Sequence, residues 1–456
     1  MSVFENFLTA IPEVKRPTQK RLAFKEKAKW TLIILVIFFL LGLMPLYGLG
    51  GNALAQFEFL SVILGASFGS IISLGIGPIV TASIVLQLLN GSGLLHFDLT
   101  THEGKVRFQG IQKWLSIAFI IGEGAIYVLM GGLSPQQGIA PIVLIIQLVI
   151  GGLLIMMMDE VVSKWGFGSG ISLFIAAGVS QSVFIRALSW LHPRTNPAGF
   201  VGQIPEFFRA LAAGETTTAA LAFAIIAATV VIFALAVFFQ AMKVEIPLSF
   251  GRIRGHGIRW PLNFIYTSNI PVILMAALIA NIQLLSSFMP ALGSSANGTG
   301  LVGWLSIPNS SSGGIVGLII QQGSLLLNGM IWARVLVYML FFIGGSILFS
   351  VFWVQTAGLD AKSQAKQMMA SGLQIPGFRK DERVLERLLQ RYIGPLTVMG
   401  AIAVGILAAF ADITGALTNG TGLLLTVMIV YRLYEEIAQQ HLMDMNPMMR
   451  KFMGKE

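Results

Sequence analysis

Ten mostly apolar stretches, most of them about 20 residues long, recur along this chain with polar segments between them. An α-helix rises 1.5 Å per residue, so about 20 apolar residues cross about 30 Å of hydrocarbon. Within a bilayer every backbone amide must be satisfied by the protein itself, which admits helices and closed barrels only. These runs are too long for barrel strands, so the expectation is an all-α membrane protein with ten transmembrane helices. They fall near 30–48, 75–92, 114–132, 140–158, 169–190, 218–241, 267–288, 332–355, 394–412 and 420–431, the last running a few residues further. The chain is 55% hydrophobic and only 11% charged, against about 25% charged in a soluble domain, which excludes an ordinary soluble core.

Lys and Arg set the orientation, because they accumulate on the cytoplasmic side. With the N-terminus inside, the segments 1–29, 93–113, 159–167, 242–265, 356–393 and the tail from Arg432 carry 26 of the 30 basic residues. The chain is therefore read as a multi-pass protein of the cell membrane with both termini cytoplasmic. The net charge of +9 reflects this bias and does not by itself argue for nucleic acid. Residues 2–12 place Phe4, Phe7, Leu8 and Ile11 on one helical face, as in a helix lying on the membrane surface. Loop 242–265 has β-type residues around a basic, Gly-rich tip. Loop 356–393 reads as two helical stretches, the second with Val384, Leu385, Leu388 and Leu389 on one face and Arg383, Arg387 and Arg391 on the other.

Residues 57–72 form a further apolar segment of only about 24 Å as a helix. It enters from the external face and turns back before Gly75, Gly77 and Pro78 open the next span. A non-helical turn at membrane depth is tolerated inside protein or beside a water-filled cavity, and the residues leave both readings open. Ten spans also divide into two inverted halves of five. Gly77-Pro-Ile-Val80 with Gln87-Leu-Leu89 echoes Ile270-Pro-Val-Ile273 with Gln283-Leu-Leu285, and Gly168-Ser-Gly-Ile171 echoes Gly420-Thr-Gly-Leu423. The expected organisation is a cytoplasmic N-terminus (1–29), an N-terminal half (30–190), an external hinge connection (191–217), a C-terminal half (218–431) and a cytoplasmic tail (432–456).

Few residues offer chemistry. There are no cysteines, and the five histidines lie outside the expected spans with no ligand spacing. No phosphate loop, cofactor motif or metal site is legible, so the chain reads as neither an enzyme nor a cofactor protein. Glu123 is the single deep carboxylate: a proton or substrate site on one reading, a carboxyl bonded to a neighbouring helix or subunit on the other. Asp159, Glu160 and Asp412 sit at span ends and read as solvated. The basic loop tips reflect either the cytoplasmic bias alone or a grip on a polyanion such as RNA.

Several motifs together are distinctive: Ile11-Pro-Glu-Val14, Phe24-Lys-Glu-Lys-Ala-Lys-Trp30, Leu74-Gly-Ile-Gly-Pro-Ile-Val-Thr81, Phe108-Gln-Gly-Ile-Gln-Lys113, Gly168-Ser-Gly-Ile-Ser-Leu-Phe-Ile175, Tyr266-Thr-Ser-Asn-Ile-Pro-Val-Ile273, Gly377-Phe-Arg379 and Tyr392-Ile-Gly-Pro-Leu-Thr397. In this order, over nearly the whole chain, the sequence resembles the SecY family, the large subunits of the Sec protein-conducting channel, in its archaeal branch. The resemblance implies two hinged halves, a plug near 57–72, and an aliphatic pore ring carried by Ile76, Val80, Ile171, Ile175, Ile273 and Leu425. It implies a lateral gate with polar positions at Thr81, Asn281 and, less directly, Gln87. It implies ribosome docking through Arg252, Arg254, Arg259, Arg379, Lys380 and Arg383. The partners implied are SecE/gamma and beta subunits, the ribosome with its nascent polypeptide and signal sequence, membrane lipid, and a second copy of the complex as a candidate. The external connection 289–331, rich in Gly and Ser, does not align.

The physics agrees with that resemblance. A ring of aliphatic side chains yields to an extended peptide of any sequence, because dispersion is non-directional. It offers no ligands to replace an ion's hydration shell. The expected function is thus a passive protein-conducting pore driven by a partner such as the ribosome. The alternatives are a secondary transporter of a small solute, disfavoured by the scarcity of buried charge, and a membrane scaffold without a pore.

Overall fold

The computed structural model describes residues 13–18, 22–54, 65–91, 94–95, 97, 101–192, 199–250, 257–267, 270–288, 300–306, 314–321, 329–370, 373–374, 382–418 and 420–445. A helix lies over each of the apolar runs: α1 (Phe24–Leu43), α2 (Gly77–Gly91), α3 (His102–Leu129), α4 (Pro141–Trp165), α5 (Gly170–Leu188), then, beyond the short α6 (Gln203–Ala213), α7 (Thr216–Ala241) and α8 (Ile270–Phe288). After the short α9 (Gly300–Trp304) and α10 (Gly314–Gln321) come α11 (Gly329–Thr356), the loop helix α12 (Ala361–Ala370), α13 (Glu382–Thr414) and α14 (Gly420–Met445). Among the described residues, six helices are long and apolar enough to cross a membrane, while the apolar α2 and α8 are shorter.

Several helix boundaries depart from the apolar runs. Helices α3, α4, α13 and α14 continue well past the greasy stretch. Polar residues do not break a helix; they only leave the hydrocarbon, so an apolar run marks the part inside the bilayer. The second helical stretch of loop 356–393 is therefore the first part of α13, continuous through Pro395. Residues 2–12, the 57–64 part of the plug and the tail beyond 445 lie outside the described residues.

The chain forms two compact units: residues 1–83, 110–213 and 417–456 in one, 84–109 and 214–416 in the other. In the first, α1 packs on α4 and α5 packs on α14, α4 and α6. A two-stranded antiparallel sheet of β1 (Leu49–Asn52) and β2 (Leu133–Pro135) joins it. In the second, α11 packs on α13 and α8, and α7 packs on α10 and α13. There β3 (Lys243–Phe250) pairs antiparallel with β4 (Gly257–Asn263), and the two-residue β5 (Leu373–Gln374) adds to the far edge of β3.

Candidate pore, gate and cytoplasmic face

The break before α2 is a chain of turns, and its backbone is satisfied from within. Residues 70 and 72–80 are buried. Backbone N–H groups of Ser70, Ser73, Gly75 and Gly77 each donate to the carbonyl three residues back in the same run, at 3.0–3.3 Å. The Ser73 hydroxyl accepts from the Gly69 N–H at 2.9 Å and donates to the Ser67 and Ser70 carbonyls. The Ile71 N–H reaches the Met44 carbonyl, and the Ser67 hydroxyl the Gly42 carbonyl, so the turn is tied to the end of α1. Gly75 holds φ +55°, in the left-handed region where a side chain is costly. A Cβ on Gly151 of α4 would collide with the Ile71 carbonyl oxygen. Glycine there lets the turn lie directly against the helix. The described part of this segment is half-buried from 66 to 69 and largely buried from 70 onward, and the amides named above are satisfied by the protein itself.

This turn delivers Ile76 and, one helical turn later, Val80, exposed by 1% and 4%. Ile175 on α5 and Leu425 on α14 are fully buried, and Ile171 is half-buried one turn from Ile175. In the other unit Ile273, in the first turn of α8, is buried. Five of the six are thus buried and Ile171 is half-buried.

The start of α5 is set by a residue read as solvated. The Asp159 carboxylate accepts the Ile171 N–H at 2.9 Å, satisfying one of the orphan donors that open a helix. A Cβ on Gly170 would meet the Asp159 backbone at 2.5 Å, and Gly168 takes φ +67°. The Gly-Ser-Gly motif thus lets α4 cap α5 from the side, fixing where Ile171 begins. Asp412, likewise read as solvated, is half-buried and accepts from the Tyr338 hydroxyl at 2.7 Å. A salt-bridged, half-buried Glu160 completes the correction.

Of the gate positions, the Thr81 hydroxyl lies within hydrogen-bonding reach of the Gly77 carbonyl, at 2.9 Å, and of the Glu123 carboxyl. Glu123 therefore bonds to a neighbouring helix. Gln87 and its repeat counterpart Gln283 are both buried, whereas Asn281 is half-buried.

At the Glu13 end of the chain, two lysines and two glutamates interlock. Lys113 reaches Glu13 at 2.7 Å and Glu160 at 3.0 Å, and Lys164 reaches Glu160 at 2.7 Å and Glu13 at 3.5 Å. Lys164 also donates to the Val14 carbonyl and the Trp165 indole to the Lys15 carbonyl. Glu13 and Lys113, which lie in two separate sequence motifs, are thereby joined. The hydrogen bond from Lys113, aided by the charge of both lysines and opposed by burial, holds the Glu13 carboxyl below its ordinary value. The clamp is complete above the unfolded carboxylate pKa of about 4.3 and is lost as pH falls through the lower folded value. A nitroxide on Lys15→Cys should keep constant mobility from pH 8 to about 5 and loosen only below about pH 4; loosening near neutrality would contradict the clamp.

The two loops 242–265 and 356–393 share a core. Ile246 and Leu262 of the hairpin, Ala365 and Met368 of α12, and Leu385, Leu389, Ile393 and Leu396 of α13 pack together with Val354. Trp260, Tyr266 and Tyr392 pack around them. Tyr266 donates to the Leu359 carbonyl at 2.7 Å, and Ser350 joins Thr267 and the Thr397 carbonyl. Burial, then the nearby Asp360 charge, push the Tyr266 phenol up to about 12, so it stays a donor at neutral pH. Arg383, Arg387 and Arg391 are exposed on the opposite face of α13. Arg252, Arg254, Arg379 and Lys380 lie outside the described residues; Arg259 lies in β4 opposite Pro247, its side chain not described.

These features define a multi-pass helical membrane protein with aliphatic side chains buried at helix starts and a structured basic loop body. The SecY family model matches residues 70–434. The protein translocase subunit SecY of Methanothermobacter thermautotrophicus is 46% identical, over 99% of this chain and 98% of its own. A solved SecY structure, described in terms of a plug domain that stabilises the closed state of the translocation channel and maintains a membrane seal, superposes with TM-score 0.81 at 41% identity, over 97% of this chain and 98% of its own. Sec61 in the canine ribosome-channel complex of the endoplasmic reticulum superposes with TM-score 0.79 at 41% identity, with the same coverage. The chain belongs to the SecY family.

Proposed function

We propose that this chain is the pore-forming subunit of a protein-conducting channel, moving secretory polypeptides across the membrane and releasing apolar segments sideways into lipid. One observation carries the proposal: the positions assigned to the ring are all aliphatic, five of them buried and Ile171 half-buried, in a chain of this family. Ile76, Val80, Ile171, Ile175, Ile273 and Leu425 form the constriction, and residues near 57–72 form the plug beneath it. Thr81, Gln87 and Asn281 are the polar positions of the lateral gate. Ten helices cross the membrane as two inverted halves, with both termini cytoplasmic; the Lys and Arg distribution supports this. The loop body presents Arg252, Arg254, Arg259, Arg379, Lys380 and Arg383 to the ribosome. SecE/gamma and beta subunits complete the complex, and the pore itself performs no chemistry.

The chain has no cysteine, so single cysteines are clean probes. Cysteines placed at Ile76 and Ile273 should each cross-link to a secretory chain stalled in transit on the ribosome. A chain that binds stalled complexes yet gives no adduct at either depth would be a scaffold and not a pore.

A further inference from the structure

The segment that follows α5 is inverted with respect to water. Ser189 and Leu191 pair through backbone hydrogen bonds with Gly202 and Val201, so the chain leaves α5, returns along itself and enters α6. On α6 the charged groups are paired and withdrawn from the outward face: Glu206 is buried and accepts from the Phe200 N–H at 2.7 Å and from the half-buried Arg209 at 2.6 and 3.0 Å. The Arg209 guanidinium, against the opposing effect of burial, keeps that carboxyl below the usual range, so the pair remains ionised and internally matched. The outward face carries Phe208 and Leu211, exposed by 63% and 62%, and the segment leaving α5 adds Trp190 and Leu191, exposed by 71% and 73%.

A helix in water buries its apolar stripe and exposes its charges; this one does the reverse. The arrangement is stable where the surroundings are apolar. The outward face also continues a surface already given to lipid, since α6 packs on α5, whose last turns expose Phe184, Ile185 and Leu188. Trp at such a boundary matches the aromatic preference for the headgroup level. We propose that residues 189–192 and 199–213 form a membrane-interface anchor. In it Trp190, Leu191, Phe208 and Leu211 sit in the boundary between lipid headgroups and acyl chains, on the surface where α5 emerges. The anchor moors the start of the connection that leads into α7.

The test uses the full-length chain in proteoliposomes with nitroxides at Phe208→Cys and Leu211→Cys. Val230→Cys, on the exposed apolar surface of α7, serves as the lipid reference, and exposed Lys366→Cys as the water reference. Accessibility is read by power saturation with oxygen, which concentrates in lipid, and a nickel chelate, which stays in water. The expected result is an oxygen-to-nickel ratio at 208 and 211 several-fold above that at 366 and approaching that at 230. Nickel accessibility equal to that at 366 would place the face in water. Exclusion of both reagents would place it against protein. Either result overturns the anchor. The substituted side chains are largely exposed and leave the Glu206–Arg209 pair in place, so folding is preserved.

Discussion

Joint replacement of Ile171 and Ile175 by alanine should make the resting channel conduct ions. The two residues are one turn apart on α5, hence on the same face; Ile175 is fully buried and Ile171 half-buried. An ion crossing an aliphatic constriction loses hydration and gains no ligand in return. Shortening two side chains widens the passage so that water can accompany the ion. Each reduction of about 1.4 kcal/mol in the barrier raises flux about tenfold. The expected gain in planar-bilayer conductance is roughly ten- to a hundredfold, corresponding to about 1.4–2.8 kcal/mol. Signal-sequence stringency should loosen in parallel. Truncating a fully buried isoleucine also costs stability, about 2–5 kcal/mol by analogy with soluble cores, so thermal unfolding must be followed alongside. Ile185→Ala, on the exposed part of the same helix, is the control expected to leave conductance unchanged. If the double variant conducts no more than this control while remaining folded, the ring assignment on α5 is wrong.

The second large effect is expected far from the ring. Leu389→Ala removes a fully buried side chain from the core shared by the hairpin, α12 and α13. Such a cavity costs about 2–5 kcal/mol. Because one core supports both loops, both should loosen together. Limited trypsin cleavage should rise at Arg252 or Arg254 and also at Arg379, and ribosome affinity should fall although no basic residue has changed. Arg387→Ala, on the exposed face of the same helix, should leave cleavage within experimental scatter and affect binding only through charge. Faster cleavage at Arg379 alone would mean that the loops are held independently.

The sequence disclosed the helices and much less of what joins them. Apolar runs locate each span because the bilayer demands them, but they miss the polar ends of α3 and α13, where the helix continues into water. The serine turn before α2 is foreshadowed by its glycines. Its internal hydrogen bonding is not, since Ser67, Ser70 and Ser73 look like any polar interruption. Asp159 reads as solvated because its partner, the start of α5, comes after a loop that composition alone cannot fold. Glu13 and Lys113 each lie in a recognisable motif, yet nothing in either string says that they meet. The shared loop core is the largest omission. Its apolar residues are legible one helix at a time, whereas the pairing of β3 with β5 joins segments more than a hundred residues apart.

Helix α13 runs unbroken for 33 residues, about 50 Å at the standard rise. Its first turns belong to the loop body, and near its other end Asp412 takes the Tyr338 hydroxyl. A strut of that length is stiff along its axis, and its softest joint is at Gly394 and Pro395, where proline removes one rung of the hydrogen-bond ladder. A thrust delivered to the basic body by a bound machine is therefore carried lengthwise through the hydrocarbon to the opposite water layer, without any intervening loop to absorb it.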